Sequence, residues 1–345
     1  MKNEQDIVIS VKNLKTYFYS EGRCNRAVNG VSFDIRRGRT LCVVGESGCG
    51  KSVTASSIMQ LLPKLARIEE GEILYHTGDD RGTIRIHELE RNGKQMRALR
   101  AKDIAMIFQD PLTALNPVYK IGSQINENLL AHEPIQKKEA RQRTIGLLSA
   151  MGIPQPEKRV DQYPHEYSGG MRQRAMIAMA MSCAPKVLLA DEPTTALDVT
   201  IQAQIFDLMD RLKRDHNTAI LLITHDMGVV CELADDVAVM YMGNIVEEGP
   251  ARAVLKNPAH PYTKALLKSI PILGRGHEQD IRPIRGSTPD PYDRPKGCQF
   301  QPRCDYACDL CRTLEEKREM PPEQIIEGTH KVRCLMAKEV LADGN

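Results

Sequence analysis

The eight residues Gly45-Glu46-Ser47-Gly48-Cys49-Gly50-Lys51-Ser52 constrain this chain more than any other feature. They fit the pattern G-x-x-x-x-G-K-[ST], and their setting matters as much as the letters. The apolar run Leu41-Cys42-Val43-Val44 reads as a short buried strand, and the stretch from Lys51 to Leu62 reads as the opening of a helix. A strand that turns through a glycine-rich loop into a helix N-terminus makes a cradle for phosphate. Its glycines let backbone N–H groups point inward, and the helix dipole favours negative charge. In such a cradle Lys51 would neutralise the β and γ oxygens, and the Ser52 hydroxyl would ligate Mg2+. By itself the loop says nucleoside triphosphate and no more.

Two further features sharpen this. Lys186-Val187-Leu188-Leu189-Ala190-Asp191-Glu192-Pro193 is an apolar strand ending in two carboxylates. Ligands of open α/β sheets gather at the carboxyl ends of strands, so this end is expected to face the phosphate loop. There Asp191 would hold the Mg2+ shell, and Glu192 would orient or deprotonate a water attacking the γ-phosphate. Before it, Tyr167-Ser168-Gly169-Gly170-Met171 opens a helix-like run, so Ser168 and two glycines form a second anion-binding helix start. Around these motifs, from residue 7 to about 250, short apolar strands alternate with amphipathic stretches, the pattern of an α/β fold with a largely parallel sheet. The 345 residues allow one large domain with an appendage or two ordinary ones. A Pro- and Gly-rich stretch over 271–303 reads as extended and loop-rich, which puts a boundary near 255–260.

With these motifs in this order the chain resembles the ABC (ATP-binding cassette) ATPase family, whose LSGGQ signature stands here as Tyr167 to Met171. The resemblance implies a P-loop nucleotide-binding domain over 1–257 with a helical signature subdomain at about 110–185. It implies ATP contacts from Phe18, the loop residues Gly45 to Ser52 with Val53, and Gln109. Mg2+ would be held by Ser52, Gln109 and Asp191, and Glu192 and His225 would be catalytic. Ser168, Gly169, Gly170 and Met171 would grip the nucleotide of a second cassette, and Asp198, after Ala196 and Leu197, would lie in the dimer-interface loop. Met171 replaces the family's Gln, which would weaken one contact.

Beyond the cassette, Asn257 to Leu267 and Gly297 to Cys304 resemble the C-terminal extension of ATPases from dipeptide, oligopeptide and nickel importers, here 258–345. Ten cysteines in a chain without an export signal are expected to be reduced thiols or metal ligands. Five crowd into the last 48 residues. Cys42, Cys183 and Cys231 lie in apolar or helical contexts and are expected to be buried. Cys298, Cys304 and Cys311 are spaced C-x5-C-x6-C, and with Cys334 they could close a soft-ligand site. The resemblance implies a [4Fe-4S] cluster there, while the Cys308-x-x-Cys311 pair leaves Zn2+ open.

Lys and Arg number 47 against 45 Asp and Glu, a net charge of +2, which argues against nucleic acid as a partner. The charged N-terminus lacks a signal-peptide pattern, and no run reaches the roughly 18 apolar residues of a membrane span. The combined expectation is an ATP-hydrolysing subunit of a di- or oligopeptide importer on the cytoplasmic face of a membrane. Its partners would be two permeases, a sister ATPase in a heterodimer and, indirectly, an extracytoplasmic binding protein. The alternatives are the same role for nickel or another small solute, and a soluble cassette outside transport.

Overall fold

The computed structural model describes residues 6–194, 197–269 and 283–343. Ala196 of the expected interface loop, and Pro271 with the rest of 270–282 in the expected loop-rich stretch, lie outside them. The strands are β1 (Ile7–Ser20), β2 (Arg23–Arg36), β3 (Thr40–Val44), β4 (Ala66–His76), β5 (Thr83–Arg85), β6 (Ile104–Ile107), β7 (Val187–Asp191), β8 (Ala219–Thr224), β9 (Asp236–Tyr241), β10 (Asn244–Pro250), β11 (Gln324–Glu327) and β12 (His330–Val332).

The chain divides into two compact units. One comprises Met1–Val8, Ile35–Thr40 and Tyr75–Ile223; the other comprises Ile9–Asp34, Leu41–Leu74 and Thr224–Asn345. In the first, β6, β7 and β8 pair in parallel. Every residue of these three strands is buried, as expected of parallel strands covered on both faces. Helices Ile121–His132, Lys137–Ala150 and Gly169–Met181 belong to the same unit. So does helix Val199–His216, which buries Ile205, Phe206 and Met209. Ile201, Leu208 and Leu212 on the same helix are half-buried.

In the second unit β2, β1 and β4 are neighbours, and β1 turns into β2 through Glu21 and Gly22, both at positive φ (51° and 74°). That is the backbone a two-residue hairpin turn demands. A separate run orders β11, β12, β10, β9 and β3. Here β3 and β9 are parallel, whereas β9–β10, β10–β12 and β11–β12 are antiparallel. The sheet is thus mixed, and the C-terminal region contributes two of its strands. β11 alternates half-buried and exposed residues around Ile325 and Ile326, too short a pattern to announce a strand.

Buried polar groups join the C-terminal region to β10. The Glu247 carboxylate accepts the N–H groups of Ala259 (2.7 Å) and His260 (3.0 Å) and lies 2.7 Å from His330 Nε2. Its neighbour Glu248 sits opposite Lys331. Burial pushes the Glu248 carboxyl up to about 7; Lys331 opposes that rise, while Asp34, Glu323 and Asp236 add to it. A carboxyl with a raised folded pKa holds its proton more tightly when folded. Stability therefore falls as pH rises from about 4.5 to about 7 and is flat above. Glu248→Gln is expected to raise stability by on the order of 1–2 kcal/mol at pH 8 and by almost nothing at pH 4, read by denaturant unfolding at both values. Equal gains at the two pH values would rule out titration as the cause.

The scattered cysteines divide. Cys42 is buried as expected, but Cys183 is half-buried and Cys231 is exposed. Helix Met227–Leu233 buries Met227, Val229 and Val230, which leaves Cys231 on the solvent side.

Candidate functional site

The glycine-rich loop connects β3 to helix Lys51–Ile58, the order its sequence demands. Two glycines are sterically required. A Cβ on Gly45 would lie 2.1 Å from the Met240 carbonyl, and one on Gly50, at φ 107°, would lie 2.2 Å from the Ala27 carbonyl. The loop is therefore clamped between backbone segments that leave no room for a side chain. Lys51, only 5% exposed, donates its ammonium to the carbonyls of Gly45 (2.7 Å) and Glu46 (3.0 Å). It lies across its own loop, where a phosphate can compete for it. Ser47 and Ser52 are exposed, and Val53 is half-buried. Cys49 is buried, burial pushes its thiol pKa up, and its N–H turns to the Glu46 carbonyl at 3.3 Å. It packs beneath the loop as a neutral thiol.

In β1, Thr16 is buried with its hydroxyl 2.9 Å from that of Ser57, on the helix that follows the loop. Phe18, two residues along and so on the same face, is half-buried. Tyr17 and Tyr19 occupy the other face, their hydroxyls bonded to Asn29 and Glu69. Of the three aromatics, Phe18 thus shares the face that looks toward the helix. His225 is exposed directly after β8, ahead of Asp226, which caps the next helix through the Gly228 N–H at 2.8 Å.

In the other unit, β7 ends at Asp191, which is buried. Glu192 follows in the left-handed region at φ 45°, held by its N–H to the Ile223 carbonyl at 2.9 Å. A non-glycine residue in that region stores strain, the kind of outlier that clusters at working sites. Gln109, exposed just beyond β6, donates Nε2 to Glu192 Oε2 at 3.0 Å. This joins two residues that the family resemblance marks, and it turns the Gln109 amide oxygen away from the carboxylate.

Ser168 caps helix Gly169–Met181 by accepting the Met171 N–H at 3.3 Å. Gly169 is exposed, Gly170 is half-buried, and the Met171 side chain is buried within its own unit. Asp198 is exposed and caps the next long helix through the Ile201 N–H at 3.0 Å. Gln173 belongs to none of the motifs above, yet it is fully buried and donates Nε2 to the Pro193 carbonyl at 2.6 Å. It ties the Ser168 helix to the residue after Glu192. Helical spacing, which places Gln173 inward, was the only clue.

The tail thiols gather. Cys298, Cys304, Cys311 and Cys334 line one cavity of about 20 Å³, with Phe300 and Met336 among its walls. Desolvation pushes Cys304 and Cys334 up to about 12 and raises Cys298 and Cys311, so these are neutral thiols until a metal displaces their protons. Cys308 packs its sulfur 3.7 Å from that of Cys311 and 3.5 Å from the Met336 sulfur. Among the described residues, no group of three His, Cys, Asp or Glu side chains is placed to hold a metal ion.

Comparison with known proteins gives the family. Residues 28–195 match the family described as ABC transporter, and residues 246–311 match the oligopeptide/dipeptide transporter C-terminal region. The chain is similar to the dipeptide transport ATP-binding protein DppD of Bacillus subtilis (strain 168), 48% identical over 95% of this chain and 94% of that one. It is also similar to the oligopeptide transport ATP-binding protein OppD of the same organism, 47% identical over 95% of this chain and 88% of that one. A solved dimeric structure of a bacterial ABC transporter cassette shares the fold, with a TM-score of 0.63 at 24% identity, covering 71% of this chain and 99% of the other.

Proposed function

The chain belongs to the ABC transporter ATP-binding family, and on that premise we propose that it hydrolyses ATP to power import of di- and oligopeptides through two transmembrane permeases. The observation that carries the peptide assignment is the match of 246–311 to the oligopeptide/dipeptide transporter C-terminal region, downstream of the cassette. Among the described residues no helix is long and apolar enough to cross a membrane. We place the chain at the cytoplasmic face, paired with a sister ATPase and served by an extracytoplasmic binding protein. On this reading 1–257 is the cassette and 258–345 its extension.

Each residue has a chemical task. Lys51 and the loop N–H groups hold the β- and γ-phosphates, and Phe18 stacks on adenine. Ser52, Gln109 and Asp191 offer hydroxyl, amide and carboxylate oxygens, hard donors suited to Mg2+, and the Gln109 bond to Glu192 through Nε2 keeps its oxygen for that use. Bound Mg2+ would supply charge neutralisation at the phosphate oxygens. Glu192 takes the proton of the attacking water, and His225 completes the site at the γ-phosphate. Ser168, Gly169 and Gly170 meet the nucleotide of the sister cassette, with Asp198 at the interface, while Met171, expected to join them, has its side chain buried and its N–H on Ser168 and so backs the helix start from within.

The four clustered thiols fit a [4Fe-4S] cluster in donor chemistry, since soft thiolates select iron and sulfide. The 20 Å³ cavity between them has room for roughly one water, so loading entails rotation of the cysteine side chains. When bound, the cluster would staple the extension. Iron and sulfide analysis of anaerobically purified protein tests this; equimolar zinc without iron would replace the cluster with a zinc site.

The transport assignment is tested by reconstituting the chain with its permeases and sister ATPase in vesicles. ATP hydrolysis is expected to rise with binding protein loaded with a dipeptide or oligopeptide. Stimulation by nickel-loaded binding protein alone would make the solute a metal, and hydrolysis indifferent to permeases would remove the chain from transport.

A further inference from the structure

Glu46 occupies an x position of the G-x-x-x-x-G-K-[ST] loop, where the pattern places no demand, yet every polar group it carries is engaged. Its carbonyl receives Lys51. Its N–H donates to the hydroxyl of Tyr262 at 2.8 Å. Its carboxylate receives the Arg303 guanidinium as a fork, Nη1 to Oε2 at 2.7 Å and Nη2 to Oε1 at 3.0 Å, and Thr288 adds its hydroxyl at 3.2 Å. Tyr262, Thr288 and Arg303 all come from the C-terminal extension.

The holding side is built rather than incidental. The Arg303 side chain is 5% exposed, against 26% for Glu46. Its Nε donates to the Arg285 carbonyl at 2.9 Å, and its Nη1 lies 3.3 Å from the Tyr241 hydroxyl. Its guanidinium carbon lies 5.9 Å from the ring centres of both Tyr241 and Phe300. Tyr262 is fully buried, its ring 4.7 Å from Tyr241 and 5.3 Å from Phe300. An arginine so enclosed presents a fixed fork, so little side-chain freedom is lost when it grips a carboxylate.

A carboxylate inside a phosphate-binding loop repels the ligand unless it is neutralised. We propose that Arg303 is a positioning residue for the nucleotide loop: it cancels the Glu46 charge and, with Tyr262, holds the second residue of the loop where Lys51 and the backbone N–H groups meet phosphate. The extension thereby becomes part of the ATP site without touching the nucleotide. This rests on the loop's being the ATP site, as proposed above.

The test is calorimetric titration of the full-length chain with Mg-ATP, with turnover measured at saturating nucleotide. Arg303→Ala is expected to weaken ATP binding about tenfold while changing kcat less than twofold, because the residue acts on binding and not on the attacking water. Arg303→Lys, which keeps the charge but loses the fork, falls between. The double variant Glu46→Gln/Arg303→Ala, which removes the orphaned carboxylate, is expected to return to within about threefold of the wild-type affinity. A melting temperature of Arg303→Ala close to that of the wild type places the loss at binding and not at folding. Wild-type affinity in Arg303→Ala, or a double variant as weak as Arg303→Ala, would overturn the proposal. Lys51→Ala separates the two levels: if it binds Mg-ATP as well as wild type, the loop itself is misassigned, whatever Arg303 does.

Discussion

Glu192→Gln in the full-length chain is expected to bind Mg-ATP with wild-type affinity while turning over at least about a hundredfold more slowly. The amide has the shape of the carboxylate and can still accept the Gln109 Nε2 donor now 3.0 Å away, so the loop after β7 keeps its geometry. What it loses is the capacity to take a proton from water. The left-handed backbone at Glu192 and its N–H to Ile223 are untouched by the change, so the defect should lie in chemistry and not in folding. Single-turnover hydrolysis alongside equilibrium nucleotide binding separates the two. Turnover within threefold of wild type would refute the assigned role.

Lys51→Ala is expected to fail earlier, at binding. Hydrogen bonds to charged groups contribute about 1.5–3 kcal/mol each, so losing the ammonium should weaken Mg-ATP by roughly 10- to 150-fold. A structural consequence accompanies it: the carbonyls of Gly45 and Glu46 lose the donor that now lies across them. Because water can enter the space that the lysine side chain vacates and bond to those carbonyls, the melting temperature of the unliganded protein should move less than the ATP affinity. Fluorescence titration with a nucleotide analogue and a thermal melt of the same sample provide the comparison. Unchanged affinity would count against the loop assignment.

The parts of the site that were legible beforehand are those whose chemistry is local. A strand, a glycine-rich turn and a helix start are written within about twenty consecutive residues, and observed β3 and helix Lys51–Ile58 match them. The run Val187 to Ala190 was equally readable, because a fully buried parallel strand is continuously apolar. Cys231 was misread because an apolar neighbourhood in sequence does not say which side of a short helix faces inward. Strands β11 and β12 escaped notice because they are edge additions of four and three residues, with too little pattern to register.

By itself, the amino-acid sequence determined the family, the phosphate loop, the two carboxylates at the end of β7 and the second glycine pair, since each depends on backbone constraints between near neighbours. Only the tertiary structure decided what surrounds them. Gln173 reaching Pro193, and Arg303 reaching Glu46 across 257 positions, are meetings set by how strands and helices stack. No spacing rule encodes such meetings, because at an x position many side chains satisfy the loop. Which one is present acquires meaning only when a distant buried arginine is brought to face it.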